Sequence, residues 1–366
     1  MSLVVFPFKR EEIEVVARNL QIAAGHDRVD EVWAVAAAED NAMEEVNGAA
    51  AAVAAATGTI VEVFAQDRIG VFRSGKGDGM NTALARSAER AFDRTHFYDA
   101  DITNFDAGWI DGAEEAADRG YGVVRHRFPR AATDAMITWM VTRPGLALRF
   151  PGTMLPRLGQ PLGGELLLTA PAVEALATDL SVRARSDWGI DTLITHATAC
   201  LDLGLFEHNA PDGKRHALYG SLTDIRDMVL ECLDAVASIE GTPPESADFD
   251  GDPPAPVPED LKRTVAYDVA KTREAISEAP DPSEREILES LDVDPDSPIE
   301  MDGERWLVTL PALLGGFELE DPAWRSVVFR LWVERVTHYT VHQVPLGYDA
   351  AIGYLEATIR DFEARG

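Results

Sequence analysis

Lysine is scarce in this chain of 366 residues, occurring at Lys9, Lys76, Lys214, Lys262 and Lys271 and nowhere else. Arginine supplies nearly all of the 33 positive charges, against 63 aspartates and glutamates, for a formal charge of −30. A surface this acidic lacks the basic footprint that nucleic acid requires, which excludes that class of partner. The acid is spread along the chain rather than gathered in blocks, which excludes a polyacidic cation buffer. What remains fits a protein kept soluble in concentrated salt, because charge of one sign repels itself at low ionic strength.

Cysteine is equally sparse. Cys200 and Cys232 lie far apart and neither has a C-x-x-C companion, so neither a zinc site nor a disulfide framework is expected. No apolar run approaches the roughly 20 residues that span a membrane. The apolar start, Met1 to Phe8, has no basic lead and is followed at once by Lys9 and Glu11, unlike a signal peptide. A cytoplasmic protein with no membrane partner is the expectation.

Strand-like and helix-like segments alternate through the first two thirds of the sequence. Ser2–Phe8, Glu31–Ala37, Thr59–Gln66, a strand ending in Asp99, Gly122–Phe128, Gly163–Leu168 and Leu205–His208 read as strands. Helical patterns separate most of them, which predicts an α/β fold with a mostly parallel sheet covered by helices. From Thr242 to Pro258 the composition turns to Pro, Asp and Gly, with little to bury. Helical patterns follow at Asp260–Ser277, Ser283–Leu291, Trp324–Gln343 and Tyr348–Arg365. The expected division is a catalytic domain over 1–240, a linker or mobile loop over 241–259, and a helical region over 260–366. Self-association through the late helices is the expectation for protein partners.

Several residues carry candidate chemistry. The run His96-Phe97-Tyr98-Asp99-Ala100-Asp101 climbs to two carboxylates one residue apart. On an extended backbone both would face one cleft at the carboxyl end of a strand, where open α/β sheets bind ligands. Such a pair could hold a divalent metal against a diphosphate. Gly70 to Gly77 nearly matches a phosphate-binding P-loop but lacks the Ser or Thr after Lys76, so ATP hydrolysis is rejected. Its glycines still let backbone and Lys76 approach a nucleotide. Lys9 stands at a strand end, where a surface lysine is the plainer reading. Arg130 precedes a predicted helix start at Ala131–Asp134, where the amides of Ala135, Met136 and Ile137 could bind a small organic acid. Of Asp187 and Asp191, one could serve only as a helix-dipole partner, and Asp191, a turn further in, could reach a cleft. His216 lies in a loop near Tyr219. His338 and His342 are four apart, but without the glutamate of H-E-x-x-H they read as a packed helix face.

Taken together, these segments resemble the mannosylglycerate synthase family, retaining glycosyltransferases of GT-A fold. The stretches that carry the resemblance are SLVVFPFK, SGKGDGMNTAL, HFYDADIT, VRHRFPRAATDAMITWM, QPLGGELL, RSDWGIDTL and the GK-H-LYG pattern around His216. They run in order over roughly residues 1 to 240, and FRLWVERVTHYT and GYDAAIGYL extend a looser match. The resemblance implies transfer of mannose from GDP-mannose to D-glycerate, giving a compatible solute. It places Pro7, Phe8, Lys9, Arg10, Glu11, Val35, Gln66, Lys76, Asp99 and Ala100 around the nucleotide. Asp101 and His216 become ligands of Mg2+ or Mn2+. Leu162 and Asp191 contact the transferred sugar, Tyr219 lies near the diphosphate, and Arg130 with Ala135, Met136, Ile137 and Thr138 holds the acceptor. The catalytic set is then Asp191, Asp101 and His216. The pattern departs at Ala217, where a basic residue is expected after the histidine, and Arg215 stands on the other side. The alternatives are a glucosylglycerate-type synthase using another sugar nucleotide, and a non-catalytic nucleotide-sugar binding protein.

Overall fold

An unbroken run of branched and aromatic side chains suits a strand covered on both faces. Ser2–Phe8 is such a run and forms β1, in which every residue but Pro7 is buried. A computed structural model describes residues 1–9, 11–37, 43–216, 221–245 and 248–366. The further strands are β2 (Glu31–Ala36), β3 (Ile60–Ala65), β4 (Arg94–Phe97), β5 (Val123–Arg127), β6 (Leu166–Thr169), β7 (Leu205–Asn209) and β8 (Phe249–Gly251). They form one sheet in the order β3-β2-β1-β4-β6-β5-β7-β8. β6 runs antiparallel to both its neighbours, and the other pairs are parallel. The mostly parallel sheet is as expected.

One face of β1 sends Val4, Phe6 and Phe8 into a core with Val16, Leu20 and Ala23 of helix Ile13–Ala24. The spacing of two on the strand and of three and four on the helix makes these faces meet. Each such large apolar side chain, fully buried, contributes about 1.5–3 kcal/mol. Phe105 meets Phe6 edge-on at 5.5 Å and Tyr98 at 4.7 Å. Tyr98, directly before Asp99, is thereby locked in the core.

Two sequence expectations in this region need correction. β4 ends at Phe97, so Asp99 and Asp101 do not share an extended strand face. The amide of Tyr98 still bonds the carbonyl of Val5 at 3.0 Å, and the chain then turns at Ala100 and Asp101. The helix that follows the glycine-rich loop begins inside it, at Lys76. The segment expected as a linker or mobile loop over 241–259 contains β8, which pairs in parallel with β7, and a Cβ on Gly251 would lie a tight 3.0 Å from the Glu207 carbonyl.

The chain divides into two compact units. The first comprises Met1–Pro129, Leu162–Ala217 and Ser246–Pro256 and holds the sheet. The second comprises Arg130–Pro161, Leu218–Glu245 and Val257–Gly366. Residues 130–161 and 218–240, expected in the α/β domain, therefore group with the C-terminal helices. Specific bonds hold them there: Arg143 pairs with Glu356 at 2.9 Å, the Tyr339 hydroxyl donates to the Ala132 carbonyl at 2.9 Å, and Asp227 pairs with Arg325 at 2.7 Å.

Two prolines shape the second unit. Pro144 has no N–H for the carbonyl of Met140 four residues earlier. The helix widens into a π-helical turn over Thr138–Thr142, and Trp306 Nε1 donates to the Met140 carbonyl at 2.8 Å instead. Pro311 does the same to Leu307, whose carbonyl accepts from Arg365 Nη1 at 3.1 Å. Helix Gly303–Gly316, which contains Pro311, is absent from the sequence reading because that proline and its terminal Gly315-Gly316 disguise it. The segment expected as one helix over Asp260–Ser277 is two short ones, Glu259–Arg263 and Val269–Glu274. Among the described residues, no helix is long and apolar enough to cross a membrane.

Candidate active site

The glycine-rich loop is organised around a buried acid. Asp78, 0% exposed, accepts from the amides of Ile69 and Gly70 and from Ser74 Oγ, and pairs with Arg68 at 2.7 Å. The amides that a P-loop would aim at phosphate point here at a carboxylate. Gly70 and Gly77 lie so close to the backbone of Ala184–Ser186 that a Cβ would fall at 2.5–2.8 Å from it. This packing fixes Lys76 at the first position of its helix.

Lys76 is the centre of a buried charge chain in the first unit. Its Nζ lies 2.8 Å from Asp99 Oδ1 and 3.0 Å from Asp191 Oδ2, with the Trp188 ring centroid at 5.5 Å. The other oxygen of Asp99 is held by Lys214 Nζ at 2.5 Å, and Lys214 in turn reaches Glu165 Oε1 at 2.5 Å. Glu165 is 1% exposed, Asp191 3% and Lys214 8%. Acids and ammoniums alternate along the chain, which is the arrangement that offsets their desolvation. Removing one partner from such a buried pair costs about 3–5 kcal/mol, because the other charge is left unpaired.

The surroundings move each group differently. Burial lowers the Lys76 ammonium, but Asp191, Asp99 and Glu165 together overcome it and raise its pKa. Burial raises Asp99, but Lys214 and Lys76 outweigh that and hold its carboxyl well below the usual range. Burial, followed by the charge of Asp99, raises Glu165 to about 6 against the pull of Lys214. Asp191 is raised, chiefly by burial, with Lys76 opposing. Its Oδ1 is buried without a hydrogen-bond partner, so an acceptor is left facing inward for a hydroxyl donor. Asp187 proves to be the local structural acid, taking Arg185 Nε at 2.6 Å and the Gly189 amide at 2.9 Å.

The second carboxylate of the D-x-D run has a different environment. Asp101 is half-buried, and among the described residues it has no ion-pair partner. The turn after it is stitched to the segment before His216. Thr103 N donates to the Arg215 carbonyl at 2.8 Å, Asn104 Nδ2 to that of Gly213 at 2.9 Å, and Arg215 N to Asn104 Oδ1 at 2.8 Å. The segments bearing Asp101 and His216 are thus neighbours. One carboxylate and one imidazole suit a hard or borderline divalent ion whose remaining positions go to phosphate and water. No cluster of three or more metal-ligating side chains occurs among the described residues, His338 and His342 included.

The remaining expected donor residues cluster unevenly. A Cβ on Gly79 would meet Gln66 Oε1 at 3.1 Å, Pro7 Cβ at 3.6 Å and Val35 Cγ1 at 4.0 Å, so those three side chains converge. Phe8 and Ala100 are buried, Lys9 is exposed, and the Lys9 amide donates to the Glu11 carboxylate. Leu162, half-buried, immediately precedes Gly163-Gly164. Arg10, Ala217 and Tyr219 lie outside the described residues.

In the second unit Arg130 pairs with Asp134 at 2.9 Å, and its carbonyl accepts from the Tyr348 hydroxyl at 2.9 Å. Of the three amides expected to be free for an anion, that of Ala135 is already bonded to Asp134 Oδ1 at 2.7 Å. Ala135 has φ 55, a left-handed conformation costly for a residue with a Cβ. Met136, Ile137 and Thr138 are buried beyond it.

The family profile for the mannosylglycerate synthase GT domain matches residues 2–238, and that for the mannosylglycerate synthase C-terminal domain matches 261–359. A mannosylglycerate synthase from Rhodothermus marinus is 45% identical over 97% of this chain and 92% of its own length. One from Selaginella moellendorffii is 43% identical over 98% and 89%. The chain belongs to the mannosylglycerate synthase family. It is a glycosyltransferase that forms mannosylglycerate. Among solved structures, glucosyl-3-phosphoglycerate synthase from Mycobacterium tuberculosis, in complex with Mn2+, UDP and phosphoglyceric acid, superposes with TM-score 0.52 at 21% identity. The match covers 67% of this chain and 80% of that one, and a complex of the same enzyme with Mg2+ and UDP gives 0.51. At that identity the likeness shows the fold, which is GT-A.

Glu165, Lys214 and Arg125 are not among the site residues expected of this mannosylglycerate synthase, yet all three are buried beside the Lys76 cluster. Arg125 is buried and donates from Nη2 to the Gly163 carbonyl at 2.7 Å, bracing the glycine pair. Two signals were available: Lys214 is one of only five lysines, and Gly163-Gly164 stands directly before an acid that opens a strand.

Proposed function

We propose that the chain transfers the mannosyl group of GDP-mannose to D-glycerate with retention at the anomeric carbon. The observation that carries this is Lys76 held between Asp99 and Asp191, with Asp191 Oδ1 buried and unpartnered. An ammonium at that place can face the negative charge that grows on the leaving β-phosphate, and an electrostatic partner fixed in a dry site is worth far more than in water. Asp191 then accepts from a sugar hydroxyl through its buried, unpartnered Oδ1. Gln66, Val35 and Pro7 line the nucleotide side, with Phe8, Lys9, Glu11 and Ala100, and Leu162 meets the sugar through its backbone.

Asp101 and His216 are the residues to hold a divalent cation. Mg2+ or Mn2+ there would supply Lewis-acid stabilisation of the diphosphate. Tyr219, outside the described residues, is the proposed contact to the diphosphate, and Arg215 precedes His216 where Ala217 carries no basic group. Arg130 grips the glycerate carboxylate, and Ala135 to Thr138 accommodate its hydroxyls. The acceptor hydroxyl oxygen forms the new bond to the anomeric carbon as the carbon–phosphate-oxygen bond breaks. The electron pair stays on that phosphate oxygen, which takes the hydroxyl proton, so attack and departure share one face.

The test is turnover of purified protein in high salt with D-glycerate and either GDP-mannose or UDP-glucose, with and without EDTA. Mannosylglycerate and GDP should form only from GDP-mannose and only without EDTA. Turnover with UDP-glucose alone overturns the donor, and tight GDP-mannose binding without turnover makes the chain a binding protein.

A further inference from the structure

We infer that Glu165 and Lys214 form a positioning pair that fixes the His216-bearing segment against the turn of Asp99 and Asp101. The inference rests on the metal site proposed above. The segment is tied on one side by backbone, through Thr103, Asn104 and Arg215. On its inner side one residue, Lys214, reaches Asp99 Oδ2 and Glu165 Oε1 at 2.5 Å each. Gly213, at φ 74, turns the chain just before Lys214, a conformation that favours glycine. His216 follows two residues later. Glu165 opens the approach to β6, so the pair links β6, the end of β4 and the histidine segment.

The pair also divides the work of the D-x-D run. Lys76 and Lys214 occupy one oxygen each of Asp99. Both oxygens of Asp99 are therefore held by ammonium groups, whereas Asp101 has no ion-pair partner among the described residues and is the carboxylate to face a cation. Glu165 balances the second lysine, which would otherwise add an unmatched positive charge next to that cation.

Position and charge predict opposite outcomes for one variant. If Lys214 acted only through its field, Lys214→Met would remove positive charge and tighten a divalent cation. If it positions the histidine segment, Lys214→Met loosens the cation. The experiment is Mn2+ binding to the full chain in the presence of GDP, read by the loss of the free-ion paramagnetic signal, with melting temperature recorded in parallel. We expect Glu165→Gln and Lys214→Met each to weaken Mn2+ about tenfold or more, and the double variant to be no weaker than the worse single, as for two residues acting as a unit. Lys214→Arg should restore much of the affinity. Mn2+ affinity unchanged or tighter in Lys214→Met overturns the inference, as does a fall in melting temperature alone. His216→Ala separates the two readings. If it leaves Mn2+ binding intact, the metal assignment has failed; if it abolishes binding while Glu165→Gln does not alter it, only the positioning role has failed.

Discussion

Gly164 is the residue on which the charge chain leans most closely. A Cβ there would fall 2.3 Å from Lys76 Nζ and 2.7 Å from Asp99 Oδ1. The end of a lysine can move aside, so Gly164→Ala should still fold, with a melting temperature lowered by the opened Lys76–Asp99 pair. Its Lys76 would be displaced from Asp99, and turnover should fall about tenfold or more, equivalent to roughly 1.4 kcal/mol of barrier. Steady-state kinetics beside a thermal melt check this; a normal rate would mean that the lysine has other room. Arg130→Ala tests the acceptor grip. Charged hydrogen bonds contribute about 1.5–3 kcal/mol, so the glycerate KM should rise about ten- to a hundredfold with kcat little changed, the signature of lost uniform binding. An unchanged KM moves the acceptor site elsewhere.

At the scale of elements, one acid ties β1, β4 and helix Ala107–Asp118 together. Glu114 accepts from Ser2 Oγ at 2.8 Å and meets His96 Nε2 at 2.9 Å, and it pairs with Arg94. Burial raises its carboxyl, but the bonds from His96, Ser2 and Arg94 prevail and bring it to about 2, below its ordinary 4.5. A depressed carboxyl stabilises the fold above its unfolded pKa and loses that contribution as pH falls towards the folded one. Glu114→Gln should therefore destabilise the protein at pH 6, and the gap to the parent should close as pH drops from about 4.5 to 2. Urea midpoints across that range give the answer, and a gap independent of pH would assign the effect to packing. None of this was legible beforehand, since Ser2, His96 and Glu114 are far apart in sequence and meet only through the sheet.

For the whole molecule the dominant fact is 63 acidic against 33 basic residues. Screening lengths fall from about 10 Å at 0.1 M salt to about 3 Å at 1 M. The melting temperature should accordingly climb between 0.1 and 2 M KCl, steeply at first and then levelling. A flat profile would mean that the charges are spaced widely enough to ignore one another. The buried Lys76–Asp99–Lys214–Glu165 chain should be nearly indifferent to the same salt, being screened little by solvent.

The sequence by itself determined the alternating α/β pattern, the absence of a long apolar span, and the residues Lys76, Asp99 and Asp191 that the structure brings within contact of one another. Those are written locally, in hydrophobic period, glycine spacing and motif. Tertiary structure decided what is not local. Residues 130–161 group with the C-terminal helices through bonds to Glu356, Trp306 and Tyr339, and residues 218–245 join them through contacts such as the Asp227–Arg325 pair. Two helices survive their prolines because distant side chains take the orphaned carbonyls. The two carboxylates that looked alike at Tyr98-Asp99-Ala100-Asp101 differ because β4 ends at Phe97 and the chain turns, giving Asp99 to two lysines and leaving Asp101 towards the histidine segment. A one-dimensional motif records which groups are present, whereas long-range packing sets the charge each of them faces.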